Sequence, residues 1–189
     1  MSDWSSDVCS SDLLGATVPV VGAGQWSYVS GAAVTITNTN SATTTVTGLT
    51  AGSSVTLRWT VSNGPVCAAL TSDVTLTNDV LPVADAGTGG NVCGIGVANS
   101  FVLSGSPTVG TGTWTKFSGP GAETFTNANL STSSVSVDAY GSYVFRWTEV
   151  NGTCSSFDDV TVVFWEAPSA SVAGANQALC NTSVFTLGA

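Results

Sequence analysis

The sequence predicts an all-β protein made of β-sandwich domains arranged in tandem. Charged residues make up only 8% of the 189-residue chain, against about 25% in an ordinary soluble domain, so Ser, Thr, Asn and Gly must supply the polar surface. Apolar and polar side chains alternate with the period of a β-strand, and no stretch has the spacing of an amphipathic helix. Several different motifs also recur along the chain in the same order, which is typical of repeat proteins.

The repeated motifs divide the chain into three units. "VGAGQW" at 21–26 returns as "VGTGTW" at 109–114, and "RWT" at 58–60 returns at 146–148, both 88 residues later. "PVADAG" at 82–87 is echoed by "PSASVAG" at 168–174. We therefore expect a truncated unit at 14–81 that lacks its first strand or strands, a complete unit at 82–167, and the start of a third at 168–189. Pro82 and Pro168 mark short, stiff junctions, because proline fixes φ and has no N–H.

The complete unit contains the strands of a sandwich. Alternating apolar residues at 143–147 and 160–164 flank an "NG" turn at 151–152, the pattern of a hairpin with one buried face. Shorter apolar runs, separated by Gly, Pro, Asn and Ser, lie at 100–104, 112–117, 122–126 and 133–138. About seven strands in a unit of this length predict an Ig-like sandwich.

The complete unit also resembles a known family. The succession "PVADAG", "VGTGTW", "SGPG", "GSYVFRWTEVNGTC" and "DDVTV" is similar to the PKD-like, Ig-like tandem repeats of large exported surface proteins of gliding bacteria that use type IX secretion. The resemblance implies a β-sandwich strung in tandem within a larger secreted or cell-surface protein, commonly as a stalk or the body of an adhesin. "GSYVF" resembles a tyrosine corner with Tyr143 as its tyrosine, whereas the first unit has Val55 there.

The first residues do not fit this pattern. Residues 3–13, "DWSSDVCSSDL", recur nowhere in the chain and resemble, codon by codon, the translation of a common sequencing adapter. We interpret residues 1–13 as an artefact of read-through and expect them to be disordered and to pack against nothing specific. Without this segment the cysteine count falls from five to four, because Cys9 is removed.

Two cysteines per unit in a sequence of exported type suggest one disulfide per domain. Two regular schemes are open: Cys93–Cys154 within the complete unit, or Cys67–Cys93 and Cys154–Cys180 across the junctions. We favour Cys93–Cys154, because it lets each domain fold alone.

The tryptophans and arginines have structural interpretations. Trp26 and Trp114 follow a Gly-rich turn, and Trp59 and Trp147 lie on the apolar parity of a strand, so all four are expected in the cores. Counting across each hairpin predicts outward-facing ion pairs, which are Arg58 with Asp73 and Arg146 with Asp159. Among aromatic residues, only Trp165 and Tyr140 qualify for an exposed sugar-binding platform, and we expect Trp165, which lies next to the junction, to cover the neighbouring domain instead.

The composition excludes several classes of function. Three Lys and Arg residues against 12 Asp and Glu give a net charge of −9, so no basic face exists to bind nucleic acid or an anionic membrane. No apolar run is long enough to cross a membrane. With no His and no CxxC, zinc chemistry and nucleophile–base pairs lack their parts. Calcium at a junction would need Asp79 and Asp85, which the second junction does not repeat.

The sequence therefore predicts a non-enzymatic structural or adhesive module, a stalk or spacer of a large extracellular or cell-surface bacterial protein, without cofactors. Its expected partners are the neighbouring repeats of the same chain, with surface glycans or other cells as further candidates. The alternative is an accessory carbohydrate-binding module of a secreted hydrolase. A row of exposed aromatic rings would favour the alternative, and burial of every tryptophan would favour the spacer.

Overall fold

The structure, a computed structural model, describes residues 13–174, 176 and 180. These residues form 13 β-strands and one 3-10 turn, Val97–Asn99, which confirms the predicted all-β fold of tandem Ig-like sandwiches. No described segment is a helix long and apolar enough to cross a membrane. The predictions for residues 1–12 and for most of the third unit (175, 177–179 and 181–189) lie outside the described residues.

The first repeat contains six strands in two three-stranded sheets. One sheet has the order β1–β4–β3 and the other β2–β5–β6. The strands are β1 (Leu13–Gly15), β2 (Ala23–Gly31), β3 (Thr35–Ile36), β4 (Thr43–Thr47), β5 (Ser53–Ser62) and β6 (Leu70–Asn78).

The second repeat contains seven strands. A three-stranded sheet has the order β10–β11–β8, and a four-stranded sheet has the order β7–β13–β12–β9. The strands are β7 (Gly90–Cys93), β8 (Phe101–Val102), β9 (Thr111–Ser118), β10 (Glu123–Phe125), β11 (Ser134–Val137), β12 (Gly141–Asn151) and β13 (Cys154–Trp165). β7 runs parallel to β13, whereas the other ladders are antiparallel. Among the described residues of the first repeat, no strand corresponds to β7.

A pair of tryptophans lies at the centre of each sandwich. Trp114 and Trp147 face each other across β9 and β12, with ring centroids 5.1 Å apart. Trp26 and Trp59 repeat this arrangement at the same separation. The first ring of each pair also donates its indole N–H to a backbone carbonyl 3.1 Å away, that of Ser131 or Ser41. In the second repeat, alternation along β12 and β13 buries the apolar face of the hairpin in the same core as Trp114 and Trp147.

The glycines of the repeated "VGxGxW" motif make room for these tryptophans. Gly110 has φ of +79°, a left-handed conformation that non-glycine residues rarely adopt. A Cβ on Gly112 would lie 1.8 Å from a ring carbon of Trp147, and Gly24 has the same relation to Trp59 at 2.0 Å. The motif therefore recurs because both the turn and the packed ring exclude a larger residue.

The boundary predicted at the N-terminus is one residue too late. Leu13 was assigned to the disordered segment, but it begins β1 and pairs with Thr45. Its side chain is exposed, whereas the adjacent Leu14 is buried in the first core. Backbone pairing with β4 makes Leu13 part of the sandwich. The pattern of buried side chains does not reveal this, because the Leu13 side chain is exposed.

Candidate functional site: the junction between the repeats

The two repeats meet at a hydrogen-bonded junction. Asp79 and Val80 follow the last strand of the first repeat and contact the turn between β12 and β13 in the second. The Asp79 carboxylate accepts a hydrogen bond from the backbone N–H of Thr153 at 3.0 Å, and the Asn151 side chain donates to the carbonyl of Val80 at 2.8 Å. We call this turn, Asn151–Cys154, the leading end of the second repeat, and the end of β13 at Trp165 its trailing end.

The "NG" sequence of the turn is what lets the junction close. Gly152 has φ of +59°, and a Cβ there would lie 1.9 Å from Asp79 Oδ2. Any larger residue would push the carboxylate away from the N–H of Thr153. The turn is therefore fitted to the preceding repeat as well as to its own hairpin.

The connecting segment is itself fixed to the second repeat. The backbone N–H of Val83 donates to the Thr108 hydroxyl at 2.9 Å, that of Ala84 to the Ser156 hydroxyl at 2.8 Å, and that of Ala86 to Asp158 at 2.9 Å. Ala86 is also fully buried in the second core. Little of the chain between β6 and the second sandwich is left as a free linker.

The predicted Cys93–Cys154 disulfide is wrong. Because β7 is parallel to β13, Cys93 pairs with Trp165 at the trailing end, whereas Cys154 begins β13 at the leading end. A rise of about 3.3 Å per residue over this strand separates the two ends by about 36 Å, and a disulfide needs Cα atoms within about 7 Å. Cys93 is a free, exposed cysteine, as are Cys67 and Cys180, so the structure does not contain the Cys67–Cys93 and Cys154–Cys180 scheme either.

The structure places the four tryptophans named from the sequence in the two cores, where none is more than 7% exposed. Their environments differ in one respect. Trp147 donates its indole N–H to Glu149 at 3.0 Å, but the buried indole nitrogen of Trp59 has no hydrogen-bond partner among the described residues. The position that corresponds to Glu149 in the first repeat holds Val61.

Glu149 is a buried carboxylate that the sequence reasoning missed. It shares its parity on β12 with Phe145 and Trp147, so the alternation could have revealed it. The carboxylate is fully buried and accepts hydrogen bonds from the Thr108 N–H at 3.0 Å and hydroxyl at 2.9 Å. Burial alone would raise its pKa, but these bonds, with those from Trp147 and the Val109 N–H, outweigh burial and lower the pKa below its usual value.

The two predicted arginine–aspartate pairs are both formed in the structure. Arg58 contacts Asp73 at 2.7 and 2.8 Å, and Arg146 contacts Asp159 at 2.8 and 2.9 Å, each through two parallel hydrogen bonds. The bonds from the arginines lower the pKa of both aspartates. These pairs lie on the outer faces of the hairpins and belong to the cross-strand ladder.

The exposed aromatic surface is larger than predicted. Trp165 is 59% exposed and donates its indole N–H to Asn91 at 2.8 Å, and Tyr140 is also exposed. The sequence reasoning missed Phe117 and Phe157, which lie on either side of the Arg146 guanidinium with ring centroids 4.2 and 3.8 Å from it. Phe157 shares the outward parity of Asp159, so its position was readable from the alternation.

Tyr143 forms the tyrosine corner that the resemblance implies. Its hydroxyl donates to the carbonyl of Ala139, four residues upstream, at 2.9 Å, and its ring is buried. Within the described part of the chain, no group of three His, Cys, Asp or Glu side chains is arranged to hold a metal ion. Asp79 instead accepts a hydrogen bond at the junction, and Asp85 accepts one from the Gly87 N–H within its own repeat.

Comparison with solved structures finds partial likenesses. The PKD domain of the KIAA 1837 protein is 28% identical, matches 47% of this chain and 92% of its own, and gives a TM-score of 0.39. Two endo-fucoidan hydrolases of glycoside hydrolase family 107, MfFcnA4 and MfFcnA9, are 18% and 15% identical, with TM-scores of 0.32 and 0.29. The matches cover 78% and 73% of this chain but only 24% and 27% of the hydrolases. No protein-family model and no curated protein sequence matches the chain.

Proposed function

We propose that the chain is a non-catalytic spacer, a segment of a longer secreted or cell-surface bacterial protein in which stacked sandwiches hold other parts at a distance. The observation that carries the proposal is the junction, where Asp79 and Val80 are hydrogen-bonded to the turn of the next repeat. The resemblance to exported repeats of gliding bacteria supports the location outside the cell.

A spacer needs resistance to bending more than it needs a ligand. A flexible linker would let the domains reorient freely, so repetition would add little reach. Here the connecting segment is bonded to the second repeat, and its preceding residues are bonded to the turn. When every junction is held in this way, each added repeat lengthens the array by the same amount.

Carbohydrate binding is the second candidate function. The exposed rings of Phe117, Phe157 and Trp165 favour it, because aromatic faces on a solvent surface are suited to contact with sugars. Two of these rings, however, already cover the Arg146 guanidinium, and Trp165 lies at the trailing end, where the next repeat follows. Saturable binding of a defined glycan that is lost in Phe157→Ala would favour this second function over the spacer.

The Asp79→Ala variant tests the spacer. The change removes the acceptor for the Thr153 N–H, a bond worth about 1 kcal/mol, and leaves both cores intact. We expect the two repeats of the natural chain to report one common rotational diffusion tensor in amide ¹⁵N relaxation. In the variant the tensors should diverge, because the junction opens more often.

The matched control is Asp73→Ala, which removes an exposed aspartate from the outer face of the first repeat and leaves the junction unchanged. It should tumble like the natural chain. Independent tumbling of the two repeats already in the natural chain would contradict the spacer proposal.

A further inference from the structure

The two cysteines of the complete repeat lie at opposite ends of it. At the trailing end, Cys93 is paired in register with Trp165, and the next residue, Gly94, donates its N–H to the Trp165 carbonyl at 2.9 Å. Cys93 is exposed and free. Its thiol is therefore presented beside the last residue of β13, where the chain leaves the sandwich.

At the leading end, Cys154 is buried against the preceding repeat. Its Sγ lies 3.7 Å from the carbonyl oxygen of Asp79, and the residue is 1% exposed. The counterpart of Cys154 in the first repeat, Cys67, is instead exposed. This cysteine position is thus buried in the repeat that follows the Asp79 junction.

Asp79 occupies the same position in the first repeat as Trp165 does in the second. Val55 is the counterpart of Tyr143, and their register partners across the hairpin are Leu76 and Val162. Asp79 and Trp165 each follow that partner by three residues. In the second repeat, this position is Trp165, and Cys93 lies beside it on the neighbouring strand. In the first repeat, it is Asp79, and Cys154 of the following repeat contacts it.

From this juxtaposition we infer that Cys93 forms a disulfide with the cysteine at the Cys154 position of the next repeat, so that every junction of the array is covalently closed. Neighbouring parallel strands lie about 4.8 Å apart, and a disulfide spans Cα atoms about 4.4–6.8 Å apart. Cys93 lies one strand spacing from Trp165, and the cysteine of the next repeat contacts the residue at that same position, so the proposed bond joins two cysteines that meet at one residue. The bond links two repeats, unlike the intradomain bond expected from the sequence.

The chemistry requires an oxidant. Each of the two thiols loses a proton, a sulfur–sulfur bond forms, and the two electrons pass to an acceptor disulfide, which is reduced to two thiols. A small-molecule disulfide such as oxidised glutathione, or a disulfide oxidoreductase of the export compartment, belongs to this class of acceptor. The Cys93 thiol is exposed, so both kinds of oxidant can reach it before the next repeat packs against it.

This inference deepens the spacer proposal, because a closed junction resists bending and keeps the repeats together if the connecting segment is cut. The test extends the full chain past Ala189 with a second copy of residues 106–167. Ala189 corresponds to Gly105, so the added segment completes the third repeat. We call this protein the extended chain.

The extended chain should be refolded in a glutathione redox buffer and digested with pepsin without reduction. Mass spectrometry should recover Cys93 linked to the cysteine of the appended segment. Maleimide should label Cys93 fully in the 189-residue chain and at least tenfold less in the extended chain. The Cys93→Ser variant of the extended chain should fold equally well and leave the appended cysteine as a free thiol, which maleimide labels once the variant is unfolded in urea.

Equal labelling of Cys93 in the two chains, or recovery of Cys93 bonded to a different cysteine, would overturn the inference. The spacer proposal would survive that result if the repeats still tumbled together, because its support is the hydrogen-bonded junction. Conversely, if the disulfide forms in the extended chain and the repeats of its Cys93→Ser variant reorient freely, the disulfide, and not the hydrogen bonds, holds the array straight.

Discussion

The Trp147→Ala variant is expected to lose about 3–5 kcal/mol of the free energy of unfolding of the second repeat. Trp147 is 1% exposed, packs on Trp114 and donates a hydrogen bond to the buried Glu149. The change leaves a cavity and also removes one donor from a carboxylate that cannot reach water. Urea unfolding followed by circular dichroism should show the second repeat unfolding first, with the first repeat little affected.

Trp165→Ala is the matched control, since it removes the same side chain from the same repeat at a position 59% exposed. Its cost should stay below about 1 kcal/mol. Trp59→Ala should cost the first repeat less than Trp147→Ala costs the second, because the Trp59 indole nitrogen has no hydrogen bond to lose. Equal effects of Trp147→Ala and Trp165→Ala would show that the tryptophan pair is not the centre of the core.

The second large effect is expected at Glu149. In Glu149→Val, which copies the residue of the first repeat, the N–H groups of Thr108 and Val109 and the indole of Trp147 lose their acceptor. A buried donor without a partner costs about 1–3 kcal/mol, so we expect a loss of about 3 kcal/mol or more at pH 7. Equilibrium unfolding of the second repeat measures it.

The effect should depend on pH. The folded-state pKa of Glu149 is depressed, so its contribution to stability is fully present above the unfolded-state pKa, about 4.3. That contribution is lost as the pH falls through the lower, folded-state pKa. The difference between the natural chain and Glu149→Val should therefore shrink on acidification below about pH 4. The control Glu166→Gln changes an exposed carboxylate, and its difference should stay near zero throughout.

The sequence was sufficient for the features that alternation and hairpin counting determine. The parity of β12 places Tyr143 and Trp147 inside, and counting across the "NG" turn pairs Arg146 with Asp159. The same rule would have found Glu149 and Phe157. They were missed because a charged residue on an inward parity, or a phenylalanine on an outward one, contradicts the usual chemistry of the two faces.

The cysteines show where sequence reasoning reaches its limit. Regular spacing gives one pair per repeat, but it carries no information about strand direction. Because β7 is parallel to β13, Cys93 lies at the end of the sandwich opposite Cys154. The role of Asp79 was also not predictable, since it depends on contact with a turn 74 residues later. Long-range contacts of this kind arise from how whole sandwiches meet.

Small-angle X-ray scattering of the extended chain, compared with the 189-residue chain, tests the central claim most directly. The longest strand among the described residues has 12 residues, so one repeat is about 4 nm long. The account predicts an elongated distance distribution whose maximum dimension increases by about 4 nm when the third repeat is completed. A compact profile, or a maximum dimension that does not increase with the added repeat, would contradict it.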